Sequence, residues 1–186
     1  MILAFVDTET TGLKPGVNRV IEAALQTVEV TWSGIKPITT LVMRQRVNLS
    51  TTPWSPEAFR VNGYEEEHPD WKDAPLVGSS EAQSRWRYFN DLVSGHCLCS
   101  QNVGFDRDFL AAELAYFGME PRWDRRTVDI QALSALAAIK LGLPKFGLHQ
   151  IYDALGGPKL QEHRALADIE RGKFVFEKVA GAFFAA

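Results

Sequence analysis

The chain has 186 residues, 46% of them hydrophobic and 23% charged, with a formal net charge of −3. That length suits one compact domain over 1–186 with a core of its own, and no global basic field draws it toward nucleic acid. Cys97 and Cys99 are its only cysteines, too few for a four-ligand zinc site, and read as small buried hydrophobes. A local groove or a bound metal can still supply positive charge. No apolar run approaches the ~20 residues of a membrane span, and no charged-then-apolar signal opens the chain, so a soluble, cytoplasmic setting is expected.

In chain order, "MILAFVD" is a short apolar run ending in turn residues, which predicts a strand buried on both faces. "RVIEAALQTVEVTW" and "KPITTLVMRQRVNL" are rich in Val, Ile and Thr and predict strands two and three, joined as a hairpin through "SGIKP". "STTPWSPEAFRVNG" reads as a loop entering a short helix, with Ser55 as N-cap, Pro56 as its first residue and Gly63 as its stop. "EEEHPDWKDAPLVGS" is polar and reads as loop. Helical spacing returns in "SEAQSRWRYFNDLVSG", which puts Trp86, Phe89 and Val93 on one face before Gly95. "HCLCSQN" reads as a fourth strand. "FDRDFLAAELAYFG", "VDIQALSALAAIKLG", "GLHQIYDALG" and "HRALADIERGKFVFEKVAGAFF" read as helices, with a short strand near Arg125 to Val128. Hairpin first, alternation afterwards: the order predicts an α/β protein with a mixed sheet, antiparallel in its first three strands and then parallel, with helices on both faces.

The chemistry concentrates in acids. On a strand, Asp7 and Glu9 project to the same side, where two carboxylates repel and push one another's pKa upward. Such a pair becomes favourable when it holds a hard divalent cation such as Mg²⁺ or Mn²⁺, which prefers oxygen donors. Asp106 falls in the first turn of a helix, after a strand that Asn102 closes. His163 and Asp168 are five residues apart, which on one continuous helix leaves them some 140° apart. They converge only if His163 sits at or before the helix start.

"DTETTG", "NVGFDRDF" from Asn102 to Phe109, and "HRALAD" from His163 to Asp168 resemble, in the same order, the three exonuclease motifs of DnaQ-like proteins, the DEDDh group. The resemblance runs from about Ile2 to Phe176. It implies an RNase H-like fold and a phosphodiester hydrolase that removes nucleotides from the 3′ end of DNA or RNA with two divalent ions, Mg²⁺ with Mn²⁺ able to substitute. Carried over by position, Asp7, Glu9, Asp106 and Asp168 would hold the metal, with Asp7 between the two ions. His163 would be the general base that takes a proton from the attacking water. Similar proteins receive the 3′-terminal nucleotide on the turn of Thr10, Thr11, Gly12 and Leu13, and on a helix that here offers Glu57, Val61 and Asn62. Asn102 and Phe105 complete the implied contacts, Phe105 also suiting the core.

Two positions depart from the family pattern: Gln101 stands where His usually precedes the second motif's Asn, and Asn62 where His is common. Neither is a metal ligand in the family. Trp54, Trp71 and Trp86 are candidates for stacking on a single strand, with core packing the favoured reading for Trp86. The implied partner is a single-stranded or frayed 3′ end, with a polymerase or a second copy of the chain left open. The alternative is a non-catalytic nucleic-acid-binding or polymerase-associated module on the same fold. That reading would predict the loss of an acid or of His163, and all five residues are present.

Overall fold

The apolar run at the N-terminus forms β1 (Ile2–Thr10), which pairs antiparallel with β2 (Val20–Thr31), itself antiparallel to β3 (Gly34–Arg44). On the other side, β1 lies parallel to β4 (Cys97–Ser100), and β4 parallel to β5 (Thr127–Asp129). The sheet order is β3-β2-β1-β4-β5, the mixed arrangement the sequence predicts. The helices are α1 (Pro56–Asn62), α2 (Ser80–Leu92), α3 (Val103–Tyr116), α4 (Ile130–Leu141), α5 (Leu148–Ala154) and α6 (Ala165–Phe184). The structure, a computed structural model, describes residues 1–64, 68–160 and 164–184, with side chains through residue 181. Among these, no helix is long and apolar enough to cross a membrane.

Period-two alternation on β1 sorts the core into two layers. Leu3 and Phe5 face α4, α5 and α6, where they pack with Ile130, Ile151 and Ile169. Ala4 and Val6 face α2 and α3, where they meet Trp86, Phe89, Phe109 and Leu110. Between Glu9 and Thr10 the register slips: Glu9 opposes Glu22 but Thr10 opposes Val20. Ile21 is therefore the extra residue of a bulge. Its side chain joins a third cluster with Val47, Tyr64 and Trp71, and its carbonyl accepts from the Trp71 indole at 3.4 Å.

Local chemistry sets most boundaries as expected. Ser55 caps α1 by accepting from Ala58 N–H, Pro56 opens it, and Gly63 ends it at φ 65°. Three details differ. The hairpin turns at Trp32 and Ser33, so Gly34 to Pro37 belong to β3; Pro37 is tolerated there because β3 is an edge strand with a register shift opposite Val28. Val128 and Asp129 end β5, and Asp129 caps α4 instead of lying inside it. The third helix begins at Val103, after Asn102 takes a left-handed φ of 60°. Trp71, at 0% exposure, and Trp86, at 3%, are core; Trp54 alone of the three stays open, stacked on Phe59 at 4.9 Å.

The segment between β1 and β2 is anchored from below. Glu113 of α3, 2% exposed, accepts two bonds from the Arg19 guanidinium at 2.8 and 2.6 Å, and further bonds from Val20 N–H and the Gln45 amide. Truncating one member strands the other's charge, at a cost of about 3–5 kcal/mol. Glu113→Ala is expected to lower unfolding free energy by that amount in urea titrations; a loss below about 1 kcal/mol would contradict the anchor.

Candidate active site

The alternation that places Leu3 and Phe5 against α6 continues past Val6. Asp7 and Glu9 therefore emerge on the α6 side, at the end of β1, where hydrophobic cover gives way to half-buried surface. Asp168, in the first turn of α6, reaches the same point. One carboxylate oxygen from each of Asp7, Glu9 and Asp168 lies within 4.8 Å of the others. Residues from opposite ends of the chain thus form one acidic cluster.

Helix α6 is held there by its first turn. Ala165 N–H donates to Glu22 Oε1 at 3.0 Å, and Asp168 N–H to the carbonyl of Arg164 at 3.0 Å, which makes Arg164 the N-cap residue. Glu22 lies opposite Glu9 on β2, is 1% exposed, and is neutralised by Arg44 Nε at 2.6 Å. A carboxylate at a helix N-terminus is favourable in its own right.

Asp106 approaches from the other side of the sheet. Thr8, between the two acids of β1, points toward α3, and its hydroxyl donates to Asp106 Oδ1 at 2.8 Å. Ser100, at the end of β4, donates to Oδ2. Asp106 is 3% exposed and stands outside the three-acid group, yet close enough to raise the pKa of Asp7. Its position is the physical consequence of alternation: neighbours on β1 serve opposite layers.

The acids are strained electrostatically. Burial, followed by Asp106 and Asp168, raises Asp7 well above the usual carboxylate range. Burial, then Asp168 and Glu22, pushes Glu9 up to about 8, against a downward pull from Arg164. Burial takes Asp106 up to about 6 although the Ser100 and Thr8 hydroxyls favour its ionised form. A carboxyl raised as far as that of Glu9 keeps its proton at neutral pH unless a cation joins it. An all-oxygen donor set of this kind fits Mg²⁺ or Mn²⁺.

A guanidinium and an imidazole lie beside Asp168. Arg171, 3% exposed, donates to Oδ1 at 2.7 Å, and His149 Nε2 of α5 is 3.5 Å from the same oxygen. His163, the base implied by the third motif, lies outside the described residues.

A cleft of about 680 Å³ opens beside Glu9. Of the implied substrate contacts, Thr10, Gly12, Leu13, Glu57, Val61, Asn62 and Phe105 line it. Leu13 and Val61 are 79% and 49% exposed, so neither is spent on the core. Phe105 also packs on Phe109 at 4.7 Å. Thr11 and Asn102 do not line the cleft. Thr11 is 0% exposed, its hydroxyl donating to the Pro53 carbonyl and accepting from Arg19 N–H. Asn102 is exposed, with its N–H on Asp129 Oδ1 at 3.2 Å. Asn62 spends its amide on the Thr10 carbonyl and on Tyr64 N–H. Gly12 is needed because a Cβ would meet the Asn18 amide at 2.6 Å, a reason unconnected with a sugar or phosphate.

Sequence reasoning missed Glu22, Thr8, Ser100, Arg164, Arg171 and His149. Glu22 had a signal, an acid inside the apolar run "VIEAAL". The others are ordinary surface types until folding brings them to the acids.

A family described as exonuclease matches residues 4–173. An oligoribonuclease of Nitrosomonas europaea is 26% identical over 167 residues, covering 82% of this chain and 89% of that protein; one from Aromatoleum aromaticum is 25% identical over 172 residues, covering 90% and 86%. Among solved structures, exonuclease I from Methylocaldum szegediense superposes with a TM-score of 0.77 at 18% identity over 98% of this chain. Escherichia coli exonuclease I in complex with a dT13 oligonucleotide superposes at 0.75 and 18% over the same share. The chain spans 42% of the length of each exonuclease I. With its three motifs, RNase H-like sheet and matched span, the chain belongs to the exonuclease family as a DnaQ-like 3′–5′ exonuclease.

Proposed function

We propose that the protein trims short single-stranded oligonucleotides from the 3′ end, releasing nucleoside monophosphates at a site that takes two Mg²⁺ ions. The observation that carries this is the convergence of Asp7, Glu9 and Asp168 within 4.8 Å beside an open cleft. Asp106, close enough to raise Asp7, is the fourth acid. The carboxyls raised by burial fit a site completed by cations. Bound divalent ions would supply Lewis acidity toward the attacking and leaving oxygens of the phosphodiester.

The chain's own residues do the rest. The exposed Leu13 and Val61 present apolar surface to a terminal base or sugar in the cleft that Phe105 also lines. Thr8 and Ser100 fix both oxygens of Asp106, while Arg171 fixes one oxygen of Asp168. His163 takes the proton from the attacking water. An imidazole with an ordinary pKa near 6.5 is suited to accept a proton near neutrality. His149, already 3.5 Å from Asp168, is the second imidazole available to that role.

Short substrates are favoured because the chain carries a charge of −3 and, among the described residues, Lys14 is the only basic side chain lining the cleft, which Glu9 and Glu57 also line. A long strand needs an extended basic track. The oligoribonucleases it resembles favour short RNA, and the exonuclease I complex with dT13 keeps DNA in view.

With Mg²⁺ and 5′-labelled RNA and DNA oligonucleotides, a ladder shortening one step at a time is expected; internal fragments would refute end-trimming. Asp7→Asn is expected to reduce the rate roughly 10³-fold, the scale of removing a main electrostatic stabiliser. His163→Ala should cost about 10²–10⁴-fold and His149→Ala far less. The reverse ranking would transfer the base to His149.

Glu9 binds its proton more tightly in the folded than in the unfolded state. The metal-free fold therefore gains most below its ordinary pKa of 4.5 and loses that advantage as pH rises through about 8. The melting temperature of EDTA-treated protein is expected to fall between roughly pH 5 and 8, and Mg²⁺ to remove most of that slope. A flat metal-free profile would contradict the strained cluster.

A further inference from the structure

We propose that Arg164 is a positioning residue that locks the start of α6, and with it the third acidic motif, to the helix lining the substrate cleft. This rests on the exonuclease reading of the same site. Arg164 is the N-cap of α6, directly after His163 and one turn ahead of Asp168. Its side chain does not line the cleft beside Glu9; it points toward α1 and the loop after it.

The guanidinium makes three contacts at once. Nη2 pairs with Asp70 Oδ2 at 2.9 Å, Nη1 donates to the carbonyl of Asn62 at 3.4 Å, and the planar group lies over the Trp71 ring, 4.6 Å from its centroid. Asn62 in turn donates its amide to the Thr10 carbonyl at 2.9 Å. A continuous chain of polar contacts therefore runs from the end of β1, through the last residue of α1, to the entry of α6. Trp71 is fully buried in the third cluster and tied to β2 through the Ile21 carbonyl, so the platform under Arg164 is rigid.

Arginine suits this task where lysine does not. A planar fork can bond a carboxylate and a carbonyl while stacking on an indole; an ammonium is a single point charge. The consequence is geometric. Releasing the N-cap lets Asp168 drift relative to β1, and a misplacement of about 1 Å can cost on the order of 10²-fold in rate. Since Arg164 does not line the cleft, substrate affinity should change little.

The test compares Arg164→Gln, Arg164→Lys, Asp70→Asn and the Arg164→Gln/Asp70→Asn double variant. Three readouts are used: kcat and KM on a short oligonucleotide, Mn²⁺ affinity by calorimetry, and amide hydrogen exchange in the metal-free protein. Arg164→Gln is expected to lower kcat about 10- to 100-fold with KM within about twofold. It should weaken Mn²⁺ binding several-fold and speed exchange at residues 165–168 while the sheet stays protected. Arg164→Lys should recover only part of this, and the double variant should match Arg164→Gln alone, because both changes break one contact. Wild-type kcat and exchange in Arg164→Gln would overturn the assignment, as would additive losses in the double variant. Exchange that quickens throughout the molecule would also overturn it, reducing Arg164 to a general stabiliser. Wild-type protein that releases no nucleotide would end the exonuclease reading instead, with the metal-free exchange and Mn²⁺ affinity still deciding the role of Arg164.

Discussion

Carboxylates crowd around the end of one strand, and their mutual repulsion is the constraint the rest of the structure serves. Asp7, Glu9 and Asp168 share one small volume, Glu22 lies against Glu9, and Asp106 presses from the opposite layer. Such a group, half-buried and without compensation, opposes folding. The fold tolerates it because several of these acids have protein partners of their own. Arg44 and the Ala165 N–H answer Glu22, and the hydroxyls of Thr8 and Ser100 answer Asp106. Arg171 answers Asp168, which leaves Asp7 and Glu9, both raised by burial and by their neighbours, where a divalent ion can join them.

Strand alternation turns that concentration into a two-sided device. Odd positions of β1 feed the layer of α4, α5 and α6; even positions feed the layer of α2 and α3. The same rule that buries Leu3 on one side and Ala4 on the other presents Asp7 and Glu9 to α6 and Thr8 to α3. Helices from both faces thereby deliver an acid to the tip of one strand. The bulge at Ile21 adds the third cluster beneath the cleft, and Trp71 of that cluster supports the guanidinium of Arg164 at the α6 cap. The geometry of the acidic cluster in this molecule follows from how hydrophobic layers are divided.

Much of this was legible in the sequence. Ser55, Pro56 and Gly63 bounded α1 through capping and φ preferences alone, since these act within a few residues. The apolar runs gave β1 and β4, and the three acidic motifs gave the candidate ligands in order. Errors came where a local signal met a tertiary claim. Val128 and Asp129 carry a helical pattern but complete the sheet beside Cys99 and Ser100, and Pro37 looked like turn but fits an edge strand.

The sequence by itself determined the alternation of β1, the caps, the order of the motifs and hence the family, because these depend on contacts between near neighbours in the chain. Only the tertiary structure decided that Asp106 is held by Thr8 and Ser100, that Arg171 and His149 flank Asp168, and that Arg164 ties α6 to α1. Each of those is a meeting of side chains whose spacing along the chain has no fixed relation to distance in space. An arginine after a histidine looks the same in every sequence; it acquires a role only when Asp70, Asn62 and Trp71 are folded around it.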